Sequence, residues 1–284
     1  MSARDGVNHP CLKSAQRAHG SHITLWSSWF PANNVPMVMR ASVIVFSMAT
    51  ALMAQQQPQM PPPNMKVPPV FNPITVMPKP AAVEKTGDGT YRIGEMQLDT
   101  KKKELNVPGT VNEVTVLEFI ANTLGGFKAY ETALTLNTNA VSFYAALLVL
   151  GADPAHGRPA AVQFDREAPQ GDPVEVTVSW NDGRRARKEP IEELIYDTRS
   201  KKTLKRGPWV YTGSTFIKSD NGPMYMAELD GVLIGFMHGP QAVIDNPRDD
   251  ARDGFGMIVL NPTLGLKAGM PITLTVKLLD ARDK

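Results

Sequence analysis

The chain has 284 residues, 20% of them charged, and a formal net charge of +2 at pH 7. Residues 1–54 hold four of its cations and one acid, so the remainder carries a net charge of about −1. A nearly neutral domain lacks the basic surface expected of a nucleic-acid-binding protein. The single cysteine, Cys11, lies in the N-terminal part, which excludes a disulfide, an iron–sulfur cluster and a cysteine nucleophile from residues 55–284.

An apolar run at positions 41–54 follows Arg40 and ends in small residues. A cation, an apolar core of about a dozen residues and a small-residue end are typical of a secretory signal peptide. A membrane-spanning helix needs about 20 residues. We therefore predict a signal peptide at 37–54, cleaved after Ala51 or Ala54. The mature protein is predicted to be exported, either periplasmic or secreted, and not to span the membrane.

The segments on either side of the predicted signal peptide are not expected to fold. Residues 1–36 show no periodicity and form either a long N-terminal extension or a stretch before the true start at Met37 or Met39. Nine prolines follow the signal peptide before position 81, and proline favours an extended polyproline conformation. We interpret 55–82 as a Pro-, Gln- and Met-rich linker and 83–284 as a single folded domain.

The first half of this domain is predicted to contain strands and one buried helix. Apolar and polar residues alternate over four segments, which predicts strands at 91–99, 104–108, 114–121 and 130–136. Between positions 139 and 151 the apolar residues recur at helical spacing. Asn139 suits the N-cap of this helix and Gly151 its C-cap.

The second half is predicted to be mainly strand. A short helix is predicted at 188–195, with Pro190 in its first turn. The strand-like segments are 172–180, 209–217, 224–229, 232–237, 256–260 and 272–279. About nine or ten mostly antiparallel strands with one buried helix predict a β-rich α+β domain, built as two packed sheets or a half-open barrel.

Several stretches resemble one known family. They are YRIG at 91–94, NVPGTVN at 106–112, KAYET at 128–132 before the helical AALLVLG at 145–151, WVYTGS at 209–214 and DNP at 245–247. In order and spacing they resemble the YdjY-domain proteins, exported bacterial proteins of unknown function, over about 90–280. The ferredoxin-like label of some members cannot apply here, because a cluster needs cysteine thiolates. Where the resemblance leads us to expect a histidine before Glu131, this chain has Tyr130, so no role of that histidine carries over.

Six residues are predicted to contribute to a binding site: Tyr130, Glu131, Trp209, Tyr211, His238 and Asp245. No residue is predicted to be catalytic or to bind a metal. Glu131 is either a functional carboxylate or a structural one. Trp209 and Tyr211 either line a sugar- or peptide-binding face or pack in the core, as aromatic residues on strands commonly do.

Three further patterns were weighed as sites. Ser214, His238 and Asp245 have the residue types of a hydrolytic triad, but no Gly-x-Ser-x-Gly turn surrounds Ser214. The acidic loop at 245–253 offers oxygen ligands of the kind that bind Ca²⁺, but its interspersed arginines favour an ion-paired, solvated loop. The remaining histidine of the domain, His156, lies in a Pro/Gly loop and is predicted to be solvated.

The sequence therefore predicts an exported, non-catalytic binding or assembly module of the cell envelope. Its partner would be an envelope protein or a glycan, and no nucleic acid and no cofactor are expected. The alternative is an envelope hydrolase that uses Ser, His and Asp or a pair of carboxylates. That alternative requires these polar groups to converge in one cleft, so the two hypotheses differ in a structural feature.

Overall fold

The computed structural model describes residues 77–220 and 222–280. The predicted N-terminal extension, the predicted signal peptide and most of the predicted linker lie outside these residues. The last part of the predicted linker belongs to the folded body, since Met77 and Ala81 pack against the core. The backbone N–H of Ala81 also donates to Ser142 Oγ at 2.9 Å.

The described residues contain seventeen strands, numbered here in chain order. The first eight are β1 Val83–Gly87, β2 Thr90–Ile93, β3 Met96–Asp99, β4 Glu104–Val111, β5 Phe119–Thr123, β6 Thr132–Leu136, β7 Asp172–Asn181 and β8 Ala186–Pro190. The others are β9 Ile195–Asp197, β10 Lys202–Thr203, β11 Trp209–Tyr211, β12 Phe216–Ser219, β13 Gly222–Tyr225, β14 Val232–Gly235, β15 Ile244–Asp245, β16 Ile258–Leu260 and β17 Pro271–Leu278.

Helices make up a small part of the described chain. The α-helices are α1 Ala140–Leu150 and α2 Met226–Asp230. Short 3₁₀ turns occur at Phe127–Glu131, Ile191–Leu194, Arg252–Gly254 and Pro262–Leu264. Within residues 77–220 and 222–280, no helix has the length and apolar character needed to cross a lipid bilayer.

Eight of the strands form a closed barrel in the order β4-β17-β7-β11-β15-β14-β5-β6, and β6 pairs back with β4. The pairs β14–β15 and β5–β6 are parallel, and the other barrel pairs are antiparallel. The prediction of a β-rich, mostly antiparallel domain is confirmed. The finer prediction of two packed sheets or a half-open barrel is only partly matched, because one sheet closes on itself and so leaves no free edge within the barrel.

The remaining strands extend this barrel or form small sheets beside it. The ribbon β1-β2-β3 continues from β4, and β8 pairs with β7. The other strands form a three-stranded sheet, β10-β9-β16, and a hairpin, β12-β13. The prediction of nine or ten strands was too low, since it missed these short elements and joined neighbouring strands across their turns.

Barrel closure depends on Gly109 in β4. This strand pairs with β3 at residues 104–106 and with β6 at residues 109–111, so it changes partner along its length. A Cβ atom at Gly109 would overlap the backbone carbonyl oxygen of Thr135 in β6. Only glycine allows this close approach of two backbones, which gives the glycine of the NVPGTVN stretch a structural role.

Asn112, the last residue of the same stretch, joins a buried polar network at the closing strands. Its Nδ2 donates to the carbonyl oxygen of Thr132 at 2.8 Å. The hydroxyl of Thr135 donates to Asn112 Oδ1 at 2.8 Å and to Asn122 Oδ1 at 2.9 Å. Asn122 and Thr132 are fully buried. Since such groups cost free energy when unpaired, the network favours this one register of the strands.

The predicted helix at 139–151 is confirmed as α1, and its ends are held as expected. The side chain of Asn139 accepts a hydrogen bond from the first turn at 2.7 Å, and Gly151 ends the helix in the left-handed conformation, with φ 103°. A contact that was not predicted adds to the cap. Glu228 Oε2 in α2 accepts from the backbone N–H groups of Ala140 at 2.7 Å and Val141 at 3.1 Å.

Several predicted strands end early because a turn interrupts them. The segment 91–99 is two strands separated at Gly94, whose φ is 58°. The segment 209–217 is divided by Gly213 and Ser214, with φ values of 77° and 60°. The segment 114–121 becomes a strand only at Phe119. Period-two alternation continues through these turns, so the sequence pattern alone did not locate them.

Two predictions of element type were wrong. The segment 224–229 is mostly helix α2, because Met226–Asp230 consists largely of good helix formers and Gly231 ends it in the left-handed conformation. The short helix predicted at 188–195 is only the 3₁₀ turn Ile191–Leu194, which Pro190 precedes as the N-cap. The predicted buried helix α1 is therefore accompanied by a second, shorter α-helix at a position where a strand was predicted.

Candidate functional site

Five polar residues from three parts of the chain meet outside the barrel strands. Glu118 precedes β5, Asp230 ends α2, and the other three lie on the 3₁₀ turn Phe127–Glu131. We call this group the Lys128 site; it comprises Glu118, Lys128, Tyr130, Glu131 and Asp230. Of these, only Tyr130 and Glu131 were predicted as site residues.

Backbone contacts hold the three parts together. The N–H of Glu118 donates to the carbonyl oxygen of Glu131 at 2.9 Å, and the N–H of Thr123 donates to the carbonyl oxygen of Gly231 at 2.7 Å. A Cβ atom at Gly231 would lie only 2.5 Å from the Cα atom of Gly126. The turn and the end of α2 therefore approach closely, which fixes the position of the charged side chains.

Lys128 lies among a carboxylate and two aromatic rings. Its Nζ forms an ion pair with Glu131 Oε1 at 2.7 Å. The same nitrogen lies 5.9 Å from the ring centroid of Phe119 and 5.8 Å from that of Tyr130. Phe127 packs edge to face against Tyr130, with ring centroids 6.0 Å apart. The side chains of Lys128 and Glu131 are 26% and 13% exposed, so the site is partly desolvated.

The electrostatics of the site follow from this partial burial. Burial raises the pKa of Glu118, and the negative charge of Glu131 adds to the shift. Burial likewise raises the pKa of Asp230, while Lys128 opposes the change. Burial lowers the pKa of Lys128, but the hydrogen bond and the charge of Glu131 raise it overall. Perturbed groups of this kind cluster at functional sites, and three carboxylates lie near one cation here, which is paired with Glu131 alone among them.

Two of these carboxylates have acceptor capacity that the described residues do not use. Within the described residues, Glu118 and Asp230 form no side-chain hydrogen bond and no ion pair, whereas Glu131 is paired with Lys128. A partly buried carboxylate prefers to accept hydrogen bonds from donors. The Lys128 site can therefore receive the hydroxyl, amide or ammonium donors of a ligand.

His238 and Asp245, two more of the predicted site residues, lie close together but are buried. Asp245 is fully buried, and its carboxylate accepts from the backbone N–H groups of Asn246 at 2.8 Å and Gly239 at 3.1 Å. Burial raises the pKa of Asp245, and these two hydrogen bonds and the nearby His238 oppose the shift. We call this group, with Ser214, the His238 centre.

The side chains of the predicted triad do not hydrogen-bond to one another. His238 Nδ1 lies 2.9 Å from the carbonyl oxygen of Asp165, and its Nε2 lies 3.2 Å from that of Arg248. Only an imidazole that carries protons on both nitrogens donates to both carbonyls. Ser214 Oγ donates to the carbonyl oxygen of Gln241 at 2.8 Å. A hydrolytic triad needs a hydrogen bond between the serine hydroxyl and the histidine ring, and Ser214 and His238 do not form one.

Trp209 and Tyr211 pack in the core rather than on a surface. Both lie on β11 and are at most 1% exposed. Trp209 Nε1 donates to Glu192 Oε1 at 3.0 Å. Tyr211 packs against Tyr144, with ring centroids 6.2 Å apart. Burial therefore favours the core-packing alternative for both aromatic residues.

The acidic loop after β15 is held by hydrogen bonds and ion pairs. Asp250 accepts from Asn246 Nδ2 at 2.9 Å and from the backbone N–H of Lys205 at 2.6 Å. Asp249 is paired with Arg252. In the part of the chain that the structure describes, no cluster of three or more His, Cys, Asp or Glu residues is arranged to hold a metal ion.

The described chain is thus a closed β-barrel domain with one partly buried, mixed-charge site outside its strands. The family model of the YdjY domain matches residues 96–259, which is more than half of the chain. The protein belongs to the YdjY-domain family, as the sequence motifs indicated. No curated protein and no solved structure matches the chain.

Sequence reasoning missed Glu118, Lys128 and Asp230 as members of the site. Lys128 and Glu131 are three residues apart in the KAYET stretch, and this spacing gave a usable signal for an ion pair. Glu118 lies 13 positions before Glu131 in the chain, and Asp230 lies between two segments that were predicted as strands, 224–229 and 232–237. Only the tertiary fold brings these two carboxylates to the turn.

Proposed function

We propose that the protein is an exported binding or assembly module of the cell envelope and that its ligand docks at the Lys128 site. The observation that carries the proposal is the pair of partly buried carboxylates, Glu118 and Asp230, which have no hydrogen-bond or ion-pair partner within the described residues. Binding sites combine a few such convergent polar groups with apolar and aromatic surface, and the partly exposed rings of Phe127 and Tyr130 supply that surface.

The chemistry of the site favours a ligand rich in hydrogen-bond donors. Carboxylates accept from hydroxyl, amide and ammonium groups, and aromatic rings attract cations and the apolar faces of larger groups. Envelope glycans and protein segments both carry such donors. The export that this function requires rests on the apolar run at 41–54, which lies outside the described residues.

The binding proposal is tested by retention on isolated envelope material. The full-length protein is compared with the double variant Glu118→Gln/Asp230→Asn, in which the carboxylates become neutral amides of similar size. The matched control is Glu175→Gln/Asp220→Asn, which makes the same change of charge at two exposed positions. We expect the site variant to lose retention about tenfold or more, since each lost charge-assisted hydrogen bond weakens binding by about 1 to 3 kcal/mol, and the control to keep it.

Thermal melting of each variant shows whether it is folded. Equal retention of the two double variants, or no specific retention of the wild-type protein, would contradict the proposal. Treatment of the envelope material with protease or with a glycan-degrading enzyme before the assay then distinguishes a protein ligand from a glycan. Export is tested separately by N-terminal sequencing of the mature protein, for which we expect a start at Leu52 or Gln55.

A specific observation supports a second candidate, an envelope hydrolase with paired carboxylates. Glycosidases use one carboxyl group with a raised pKa as an acid and a second, ionised carboxylate as a nucleophile or base. Burial raises the pKa of Glu118, and Glu131, whose charge acts on it, is held by Lys128. Release of reducing ends from purified envelope glycan, abolished by Glu118→Gln and by Glu131→Gln, would favour this candidate. Binding without release would favour the non-catalytic module.

A further inference from the structure

A separate cleft of about 670 Å³ lies beside β7 and β11, away from the residues of the Lys128 site. Its polar lining includes His156, Arg158 and Asp172, and its apolar lining includes Pro173, Val210 and Leu279. The long loop between α1 and β7 forms one wall.

The loop that forms the wall is fixed to the barrel. The backbones of Arg158 and Gln170 form a two-hydrogen-bond bridge, with distances of 2.8 and 2.9 Å. Cβ atoms at Gly157 and Gly171 would overlap carbonyl oxygens of β11 and the residue that follows it. Only glycine permits this approach, so the cleft is a preformed feature of the fold.

Asp172 orients the imidazole of His156 at the cleft. His156 Nδ1 lies 2.7 Å from Asp172 Oδ1, and Asp172 Oδ2 accepts from the backbone N–H of Asp153 at 2.6 Å. Both oxygens of Asp172 are therefore engaged within the protein. The hydrogen bond and the charge of Asp172, followed by the charge of Asp153, raise the pKa of His156. The imidazole thus remains cationic to a higher pH than an isolated histidine.

The cleft also presents hydrogen-bond donors that the described residues leave unpaired. His156 Nε2 is 3.7 Å from Asp153 Oδ2, which is too long for a hydrogen bond, and the side chain is 62% exposed. Arg158 uses Nη1 to donate to the carbonyl oxygens of Ala155 at 2.9 Å and Gly157 at 2.7 Å. Its Nη2 and Nε form no hydrogen bond to the described residues. A guanidinium and an imidazolium therefore offer unused N–H groups at the same cleft.

We propose that this cleft binds an oxyanion, a carboxylate or a phosphate, carried on an apolar body. His156 and Arg158 donate to the anion, and the apolar body packs against Pro173, Val210 and Leu279. Asp172 is a positioning residue that keeps His156 oriented and charged. This binding site is independent of the Lys128 site, so the failure of one proposal leaves the other intact.

The test uses the full-length protein and three small probes: benzoate, inorganic phosphate and the neutral benzamide. The imidazole proton signals are followed by NMR, and the His156 signal is the one that is lost in His156→Gln. We expect benzoate to shift the His156 signal in a saturable way while the His238 signal stays in place. Benzamide is expected not to bind, because it lacks the negative charge.

The variants separate local contacts from overall charge. His156→Gln and Arg158→Gln are each expected to weaken benzoate binding about fivefold, as expected for the loss of one charge-assisted hydrogen bond at an exposed site. Arg184→Gln removes the same unit of charge in the exposed turn between β7 and β8 and is expected to change nothing. Benzoate affinity is also expected to fall as the pH rises and the His156 imidazolium loses its proton. The charged groups that face this ring are Asp153, Asp172 and Arg158.

The outcomes are distinct. Binding of benzoate alone identifies a carboxylate ligand with an apolar body, and binding of phosphate as well identifies a broader oxyanion site; both support the proposal. No shift of the His156 signal in the wild-type protein would overturn it, and this result does not depend on any variant folding. Benzamide binding as tightly as benzoate, or equal losses in Arg184→Gln and His156→Gln, would overturn it as well.

Discussion

The Lys128 site and the His238 centre both contain carboxyl groups whose pKa values burial raises, yet they differ in what the carboxylates contact. In the His238 centre both oxygens of Asp245 accept from backbone N–H groups of the surrounding loop. In the Lys128 site, Glu118 and Asp230 have no such partners among the described residues. A perturbed pKa therefore does not by itself distinguish a structural carboxylate from one that awaits a ligand. The unused acceptor capacity makes that distinction.

The largest effect is expected from Asp245→Ala, which would leave two buried N–H groups without acceptors. We expect the free energy of unfolding to fall by about 3 kcal/mol, since unpaired buried polar groups cost about 1 to 3 kcal/mol each. Urea denaturation measures the change. Asp220→Ala, at an exposed position, is the control and is expected to change stability by less than about 0.5 kcal/mol. A loss below about 1 kcal/mol in Asp245→Ala would show that Asp245 is not a structural carboxylate.

A smaller loss of stability is expected from Glu228→Ala. Burial raises the pKa of Glu228, while its hydrogen bonds to the first turn of α1 oppose the shift. Loss of a cap costs about 1 kcal/mol, so urea denaturation is expected to show a decrease of that size. Retention on envelope material is expected to stay unchanged, because Glu228 already uses its carboxylate within the protein. If Glu228→Ala lost as much retention as Glu118→Gln/Asp230→Asn, the distinction between carboxylates bonded within the protein and carboxylates without such partners would fail.

The smallest effect is a pH dependence at the Lys128 site. When folding raises the pKa of a carboxyl group, that group stabilises the folded state at pH values below its ordinary pKa. This stabilisation is lost as the pH rises through the raised pKa of the folded state. From about pH 4 to pH 7, the free energy of unfolding of the wild-type protein is therefore expected to fall relative to that of Glu118→Gln/Asp230→Asn, because the variant has lost both carboxyl groups. The relative fall should be below about 1 kcal/mol, since both groups are partly solvated.

Urea denaturation of both proteins at the two pH values measures this relative fall. The Glu175→Gln/Asp220→Asn protein is the control, and its difference from the wild-type protein is expected to stay constant. If the free energy of unfolding of the wild-type protein instead rises relative to that of Glu118→Gln/Asp230→Asn with increasing pH, the result would contradict the burial of these carboxylates.

Local signals in the sequence were sufficient for the elements that local interactions define. Helix α1 was predicted with both caps because Asn139, Gly151 and the apolar spacing between them are all short-range features. The long strand β7 was predicted for the same reason, since its alternation is uninterrupted. Barrel closure was not predicted, because it depends on the pairing of β4 with β6 and on two parallel pairs between distant or turn-separated segments.

Only those residues of the Lys128 site that lie in one sequence motif were predicted. Tyr130 and Glu131 came from the KAYET stretch, whereas Glu118 and Asp230 reach the turn through the pairing of β5 with β6 and the docking of α2. Residue type alone did not decide between a binding face and core packing for Trp209 and Tyr211. An aromatic residue on a strand has the same pattern whether it faces solvent or the core, and only the fold shows that both are buried.

The most direct test is site-specific photo-crosslinking in envelope material. A photoreactive phenylalanine analogue replaces Tyr130 in the Lys128 site or, as the control, Lys188 on β8. We expect a specific adduct from position 130 that disappears when Glu118→Gln/Asp230→Asn is added, and no such adduct from position 188. Equal labelling from both positions, or an adduct at position 130 that survives the double substitution, would contradict ligand binding at this site.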